Sequence, residues 1–385
     1  MRPGRAILLL LSAVLVAGCG GLTDSAPTPK ASLTVRSGDV PPDDEVIPSQ
    51  APATTSTSRS TADDGRVVLA FGGDIHFEEY LAPLARDPEA LAPLADLWAD
   101  ADFRMANLET AITEGGTKVP KAFNFRAPAS ALTTLAHARL DALSMANNHG
   151  VDYGVAGLRD TLAAVATSPV PIVGIGANEK EAFAPRIIER AGLRIAVLGA
   201  SQVSEQTLAQ FSAGPSSGGI ASAIPTDRLV AAVAAVRDQA DVVVVYLHWG
   251  IDYQECADAR SKATAADLEA AGADVIVGAH SHRVGGAGWL GDSYVAYGLG
   301  NFVWWRSAEP DSRTGILRLE IDPTRAKSPA GEWVGTIVRS ADWQPLLIGR
   351  DGIPATPSAS DEQRLHGLWE AATSCSGLST TPPRG

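Results

Sequence analysis

From Arg66 to about Gly349 the chain alternates short apolar runs with amphipathic stretches. Val67-Val-Leu-Ala-Phe71, Phe103-Arg-Met-Ala106, Ala142-Leu-Ser-Met-Ala146, Pro171-Ile-Val-Gly174, Val242–Leu247 and Asp274–Val277 are runs of this kind. They are short, and glycine or polar clusters bound them, so they read as strands, the most apolar of them buried on both faces. Helical periodicity runs through Leu158–Ala166, Thr226–Gln239 and Ala263–Ala271. Pro185–Ile188 and Leu193–Leu198, parted by Ala191-Gly192, read as a β-hairpin. Later in the chain strand-like stretches dominate: Ser293–Tyr297, Gly300-Asn-Phe302, Gly315–Ile321 and Trp333–Val338. Strands alternating with helices, then mostly strands, predict an α/β sandwich with a mixed sheet.

Polar clusters follow the apolar runs: Gly72-Gly-Asp-Ile-His76, Asn107-Leu-Glu109, Asn147-Asn-His-Gly150, His248-Trp-Gly250 and Gly278–His282. Ligands of such sheets gather beyond the carboxyl ends of the strands. Five of the seven histidines (His76, His149, His248, His280 and His282) fall at such ends, which predicts a metal centre there. His280 and His282, one residue apart, fit either two ligands reaching a common metal from one loop or two surface histidines. Asp74 and His76 form an Asp-x-His pair, a common motif when alone. Glu109 fits either a carboxylate bridging two cations or a helix-start carboxylate. Asn148 offers a side-chain oxygen, and Asn147-Asn148 also fits a turn. His149 is left to protonate a leaving group or to stabilise substrate charge. His248, taken alone, reads as a hydrogen-bonded core residue. The oxygen and nitrogen donors suit manganese, iron or zinc better than calcium.

The ends have a different composition. A basic start, Met1–Arg5, precedes an apolar run, Ala6–Ala17, and Leu15-Val-Ala-Gly-Cys19 resembles a bacterial lipobox. Residues 1–19 therefore read as a signal peptide ending in a lipidated Cys19. An ordinary secretory signal is the alternative. Residues 20–65 are rich in Ser, Thr, Pro and Asp and read as a disordered stalk. Residues 350–385 form a tail with one short helical piece near Glu362–Ala371. Cys256 and Cys375 either pair as a disulfide outside the cytoplasm or stand as two thiols. The net charge of −13 argues against nucleic acid as a partner, and a polyanionic substrate would need local positive charge.

These motifs together resemble calcineurin-like metallophosphoesterases, whose ligand order Asp74-Ile-His76, Asn148-His149, His248 and His280-Ser-His282 follow. More closely, they resemble the CapA family of poly-γ-glutamate capsule biosynthesis proteins. The matching stretches are Gly73-Asp74, Asn107-Leu-Glu-Thr110, Phe123-Asn-Phe-Arg126, Ala146–Gly154, His248-Trp-Gly250, Gly278–His282 and Tyr297–Phe302. The resemblance implies a metallophosphatase-like α/β sandwich with mixed sheets over residues 66–349. It implies two divalent metal ions, with Asp74, His76 and His282 on one and Asn148, His248 and His280 on the other. Glu109 would bridge them and His149 would be the acid. Arg126 would contact a substrate anion, with a surface salt bridge as the alternative. Asn107 and Asn301 would support the site, Asn301 through hydrogen bonds or by shaping a turn. Asn107-Leu-Glu109 departs from the Gly-Asp-x-x-Asp of the phosphoesterases, whereas retention of His76 favours a competent two-metal site. The function implied is extracytoplasmic and lipid-anchored: synthesis, export or attachment of an anionic surface polymer by hydrolysis of a phosphoester or an amide. A non-catalytic assembly factor working with membrane-bound polymer synthase subunits is the alternative, and a phosphatase unconnected with capsule is a third reading.

Overall fold

The computed structural model describes residues 66–322, 324 and 335–383. The expected signal peptide, its Cys19 and the expected stalk, with the first two residues of the strand expected at Trp333–Val338, lie outside the described residues. Two sheets form the body. The first has eight strands and runs in the order Pro354–Ala355, Val338–Ile348, Arg313–Ile321, Val67–Ile75, Phe103–Leu108, Ala142–Ser144 and Ile172–Val173. Its eighth strand, Asn301–Val303, pairs with the end of Val67–Ile75. The second has six, in the order Ala287–Leu290, Ser293–Ala296, Val275–His280, Val242–Trp249, Leu193–Ser201 and Arg186–Arg190. Both are mixed: the first is antiparallel from Pro354–Ala355 to Val67–Ile75 and parallel from there to Ile172–Val173, and the second has a parallel centre with antiparallel flanks.

The continuous apolar runs have a simple cause: each central strand is covered on both faces. Leu69, Phe71, Phe103 and Met105 of the first sheet meet Val244, Tyr246, Val275 and Val277 of the second in one buried cluster. The alternate residues Val68 and Ala70 turn outward under the helices of the first sheet. Val243, Val245 and Leu247 do the same beneath Asp227–Val236 and Ala259–Ala270 on the second. The period-2 alternation of side chains thus feeds two cores from one strand. The result is an α/β sandwich, the class the sequence predicts, built in four layers.

The hairpin of Arg186–Arg190 with Leu193–Ser201 forms around Ala191 and Gly192, both at positive φ (46° and 78°), the conformation that matches strand twist in a two-residue loop. The strand expected at Trp333–Val338 differs from expectation, running over Val338–Ile348. It shows mixed exposure and includes Pro345, so its sequence lacks the apolar signature. Residues 354–383 do not hang free. The helix Ala359–Ser376 stacks Trp369 on Trp343 with centroids 4.8 Å apart. A disulfide joins Cys375 to Cys256 (Cα–Cα 5.7 Å), and Ser379 pairs its backbone with Trp289. Among the described residues no helix is long and apolar enough to cross a membrane.

Candidate metal centre

The site forms where the carboxyl ends of strands from both sheets meet. Asp74 closes Val67–Ile75 and lies in register with Asn107 on one side and Asn301 on the other. Strict alternation after Leu69 and Phe71 would point Asp74 away from the second sheet. A register shift between Phe71 and Asp74 turns it inward. Gly73 makes the shift possible, since a Cβ there would overlap the carbonyl of Gly300. The Tyr246 hydroxyl donates to the Gly72 carbonyl at 2.6 Å and ties the two sheets together beneath the site. On the second sheet Val244, Tyr246 and His248 share the inward face, so His248 faces Asp74. His280 and His282 follow with φ of 95° and 54°, a conformation costly for non-glycine residues and concentrated at functional sites. Asp74 Oδ2 accepts the His280 backbone N–H at 3.2 Å and so helps to hold that turn.

Two groups of possible ligands emerge. Asp74, Glu109 and His248 form one, entirely buried. Asp252, His280 and His282 form the other, at the cleft. Glu109 Oε1 lies 3.6 Å from His248 Nε2 and 3.7 Å from His149 Nε2, and neither Glu109 oxygen has a hydrogen-bond partner. A buried carboxylate without partners is expensive unless a cation or a proton meets it. Without metal, burial and then the nearby Asp74 carboxylate push the Glu109 carboxyl well above its ordinary range. Asn148 Oδ1 is 2.7 Å from His248 Nε2, which adds an oxygen to the buried group. His280 Nδ1 is also buried without a partner. These donors fit divalent cations.

Asparagines orient the ligands. Asn107 Nδ2 donates to Asp74 Oδ1 at 2.8 Å and lies 3.2 Å from His248 Nδ1. Asn147, in turn, donates to Asn107 Oδ1 and to the Leu108 carbonyl, and its own Oδ1 accepts the His149 backbone N–H at 3.0 Å. Asn301 Oδ1 stands 2.8 Å from His282 Nδ1. His149 stacks on Phe125 (centroids 3.8 Å) and sets Nδ1 2.6 Å from Asp152 Oδ2. Asp152 also accepts from the Phe125 backbone and pairs with Lys121 at 2.7 Å. Burial and the Lys121 charge lower the His149 pKa well below its usual value. Burial lifts the Asp152 carboxyl to about 7 against the pull of Lys121.

His76 is fully buried and packs with Phe125, Trp304 and Trp305; it joins neither ligand group. Arg126 does not line the cleft. Its guanidinium lies over the Tyr153 ring and reaches the Glu114 carbonyl, while its backbone N–H is taken by Glu78. The cations lining the cleft, a hollow of about 240 Å³, are instead Lys121 and Arg306. Sequence reading missed Asp152, Lys121 and Asp252. Asp152 stands three residues after His149, and Asp252 lies in the loop after His248, so proximity to those histidines was the available signal. Lys121 had none.

The family model "Bacterial capsule synthesis protein PGA_cap" matches residues 68–304. The chain is 28% identical over 279 residues to the PGA biosynthesis protein CapA of Bacillus subtilis (strain 168), covering 68% of this chain and 72% of that one. It is 32% identical over 191 residues to the capsule biosynthesis protein CapA of Bacillus anthracis, covering 49% and 46%. A probable polyglutamine synthesis accessory protein of Mycobacterium tuberculosis is 28% identical over 223 residues (56% and 58%). Among solved structures, a phosphatase from Mycoplasma pneumoniae matches 78% of this chain and 99% of its own at 13% identity, with a TM-score of 0.46.

Proposed function

The chain belongs to the bacterial capsule synthesis protein family PGA_cap, and from that premise we propose that it is a two-metal hydrolase. It would act on an anionic surface polymer such as poly-γ-glutamate, or on a phosphoester linked to its assembly. Glu109 carries this reading: a fully buried carboxylate with two unpartnered oxygens, placed between His248 and His149. Asp74, Glu109, Asn148 and His248 would hold an inner cation, and His280 and His282 would serve an outer one. Divalent cations in such a site neutralise charge on the reacting oxygens and make water more acidic.

The protein's own groups handle the proton. Asp152 accepts a hydrogen bond from the Nδ1–H of His149, a tautomer that leaves a lone pair on Nε2 facing Glu109. Nε2 takes a proton from the attacking water as the water oxygen bonds to phosphorus or to the amide carbon. An imidazole of lowered pKa then surrenders that proton readily to the leaving oxygen or nitrogen. Lys121 pulls the Asp152 carboxyl toward its ionised form, the form that accepts from the ring.

We place the protein outside the cytoplasm, anchored by a lipid on Cys19. The lipobox-like sequence supports this, as does the Cys256–Cys375 disulfide, a bond typical of oxidising compartments. The experiment is to strip the full chain of metal, reload it with manganese, iron or zinc, and assay a phosphodiester, a phosphomonoester and γ-linked polyglutamate. Metal-dependent turnover lost in His149→Ala supports the hydrolase, and the preferred substrate identifies the bond cleaved. Tight metal binding without turnover on any substrate would replace it with the non-catalytic assembly factor, working with membrane synthase subunits.

A further inference from the structure

The buried ring of His76 carries its hydrogen in the wrong place for a metal ligand. The backbone N–H of Glu78 donates to His76 Nδ1 at 3.0 Å. A backbone amide can only donate, so Nδ1 holds a lone pair and the neutral ring keeps its proton on Nε2. A ligating imidazole needs the opposite: a lone pair toward the cation and, on the other nitrogen, an N–H donated to an acceptor. Phe125 stacks on the ring at 4.7 Å, and Trp304 and Trp305 abut it at 4.1 and 4.5 Å. Its Nε2 is buried with no partner.

His282 shows the ligand arrangement. The amide nitrogen of Asn301 is committed to the Asp311 carbonyl at 2.8 Å, so its Oδ1 accepts from His282 Nδ1 and frees Nε2. Beside it, His280 leaves Nδ1 buried and unpartnered and sets Nε2 3.2 Å from Asp252 Oδ1. The loop carrying Asp252 is docked onto this turn, since the Tyr253 backbone N–H donates to the Ser281 carbonyl at 2.7 Å. Potential ligand atoms of Asp252, His280 and His282 all lie within 4.8 Å of one another.

Resting on the metal reading above, we propose that Asp252, His280 and His282 hold the outer cation and that His76 stays outside its coordination sphere as a buried N–H donor. Asp74 lies between the two ligand groups, with Oδ1 4.0 Å from His248 Nδ1 and Oδ2 3.6 Å from His282 Nδ1. The two cation sites then differ in kind. The inner one is buried, whereas the Asp252 side chain is 57% exposed, so the outer cation binds second and leaves first.

The test uses the full chain with manganese as the probe, read by calorimetry and elemental analysis after desalting. The wild type binds two ions in separable steps. Asp252→Asn keeps the inner ion and loses at least tenfold in affinity for the outer one, whereas His76→Gln keeps both. Long-range proton–nitrogen correlation spectra of the zinc-loaded wild type provide an arm that no folding defect disturbs: His76 Nε2 stays protonated. Wild-type affinity for both ions in Asp252→Asn, or a metal-bound His76 Nε2, overturns the proposal. A wild type that binds one ion overturns the outer site alone. One that binds none removes the metal reading beneath it.

Discussion

His149 Nδ1 and Asp152 Oδ2 meet at 2.6 Å, inside a wall formed by Phe125 and Lys121. They stand three positions apart in sequence, yet the contact depends on the turn after Ala142–Ser144. Asp152 favours the tautomer that leaves Nε2 free, which makes it a positioning residue in the proposed hydrolase. Asp152→Asn should lower metal-dependent turnover about 10–100-fold, on the scale of outer-shell partners, while the metal content stays unchanged. Elemental analysis beside steady-state kinetics checks this. Lost metal instead of lost turnover would assign Asp152 to metal binding.

Lys121 supports that pair. It reaches Asp152 at 2.7 Å and the Asn148 carbonyl at 2.6 Å. Lys121→Met leaves a buried carboxylate without its cation, a loss worth about 3–5 kcal/mol for a buried pair. Denaturant unfolding of the metal-free variant should show most of that loss. A change under about 1 kcal/mol would mean that water already compensates Asp152.

Acid should destabilise the metal-free protein. Burial lowers the pKa of His76, His149, His248 and His280, the last to about 3. Burial also raises Glu109, and raises Asp152 to about 7. For the histidines, stability is present above their unfolded pKa and is lost as pH falls below it toward the folded values. For the two carboxyls the sign reverses, since the folded state binds their protons more tightly. Between pH 6.5 and 5, four histidines set against two carboxyls leave the unfolded chain holding about two extra protons, so stability falls by roughly 2.7 kcal/mol per pH unit at most. Thermal melts with chelator across that range should show a falling midpoint, and bound metal should flatten the dependence.

Reduction should loosen the fold. The Cys256–Cys375 bond closes a separation of 119 residues and joins the last helix to the loop that carries Asp252. Its loss costs about 2–5 kcal/mol. Melting with and without a phosphine reductant measures this, with Cys375→Ser as the control that must no longer respond.

Gly73 should tolerate no side chain. Gly73→Ala pushes a methyl into the Gly300 carbonyl at the register shift that aims Asp74. Overpacking of this kind costs about 1–3 kcal/mol, and metal affinity should fall with it. Unchanged metal affinity would separate the shift from the site.

The sequence by itself determined the α/β sandwich class with mixed sheets. Runs such as Val242–Leu247 are apolar at every position because each strand is covered on both faces, and local composition records that directly. It also placed Asp74, Glu109, Asn148, His149, His248, His280 and His282 at one end of the sheets, since each follows an apolar run. Tertiary structure decided what local pattern cannot carry. The register shift at Gly73 turns Asp74 inward, and only the pairing with Asn107 and Asn301 shows it. The Glu78 amide fixes the proton of His76, and the docking of Tyr253 on Ser281 brings Asp252 to the histidines. Lys121 finds Asp152 across a loop, and Arg126 is drawn to Tyr153 away from the cleft. Each is a contact between residues distant in sequence, or a choice of hydrogen-bond partner, and both exist only once the chain has folded.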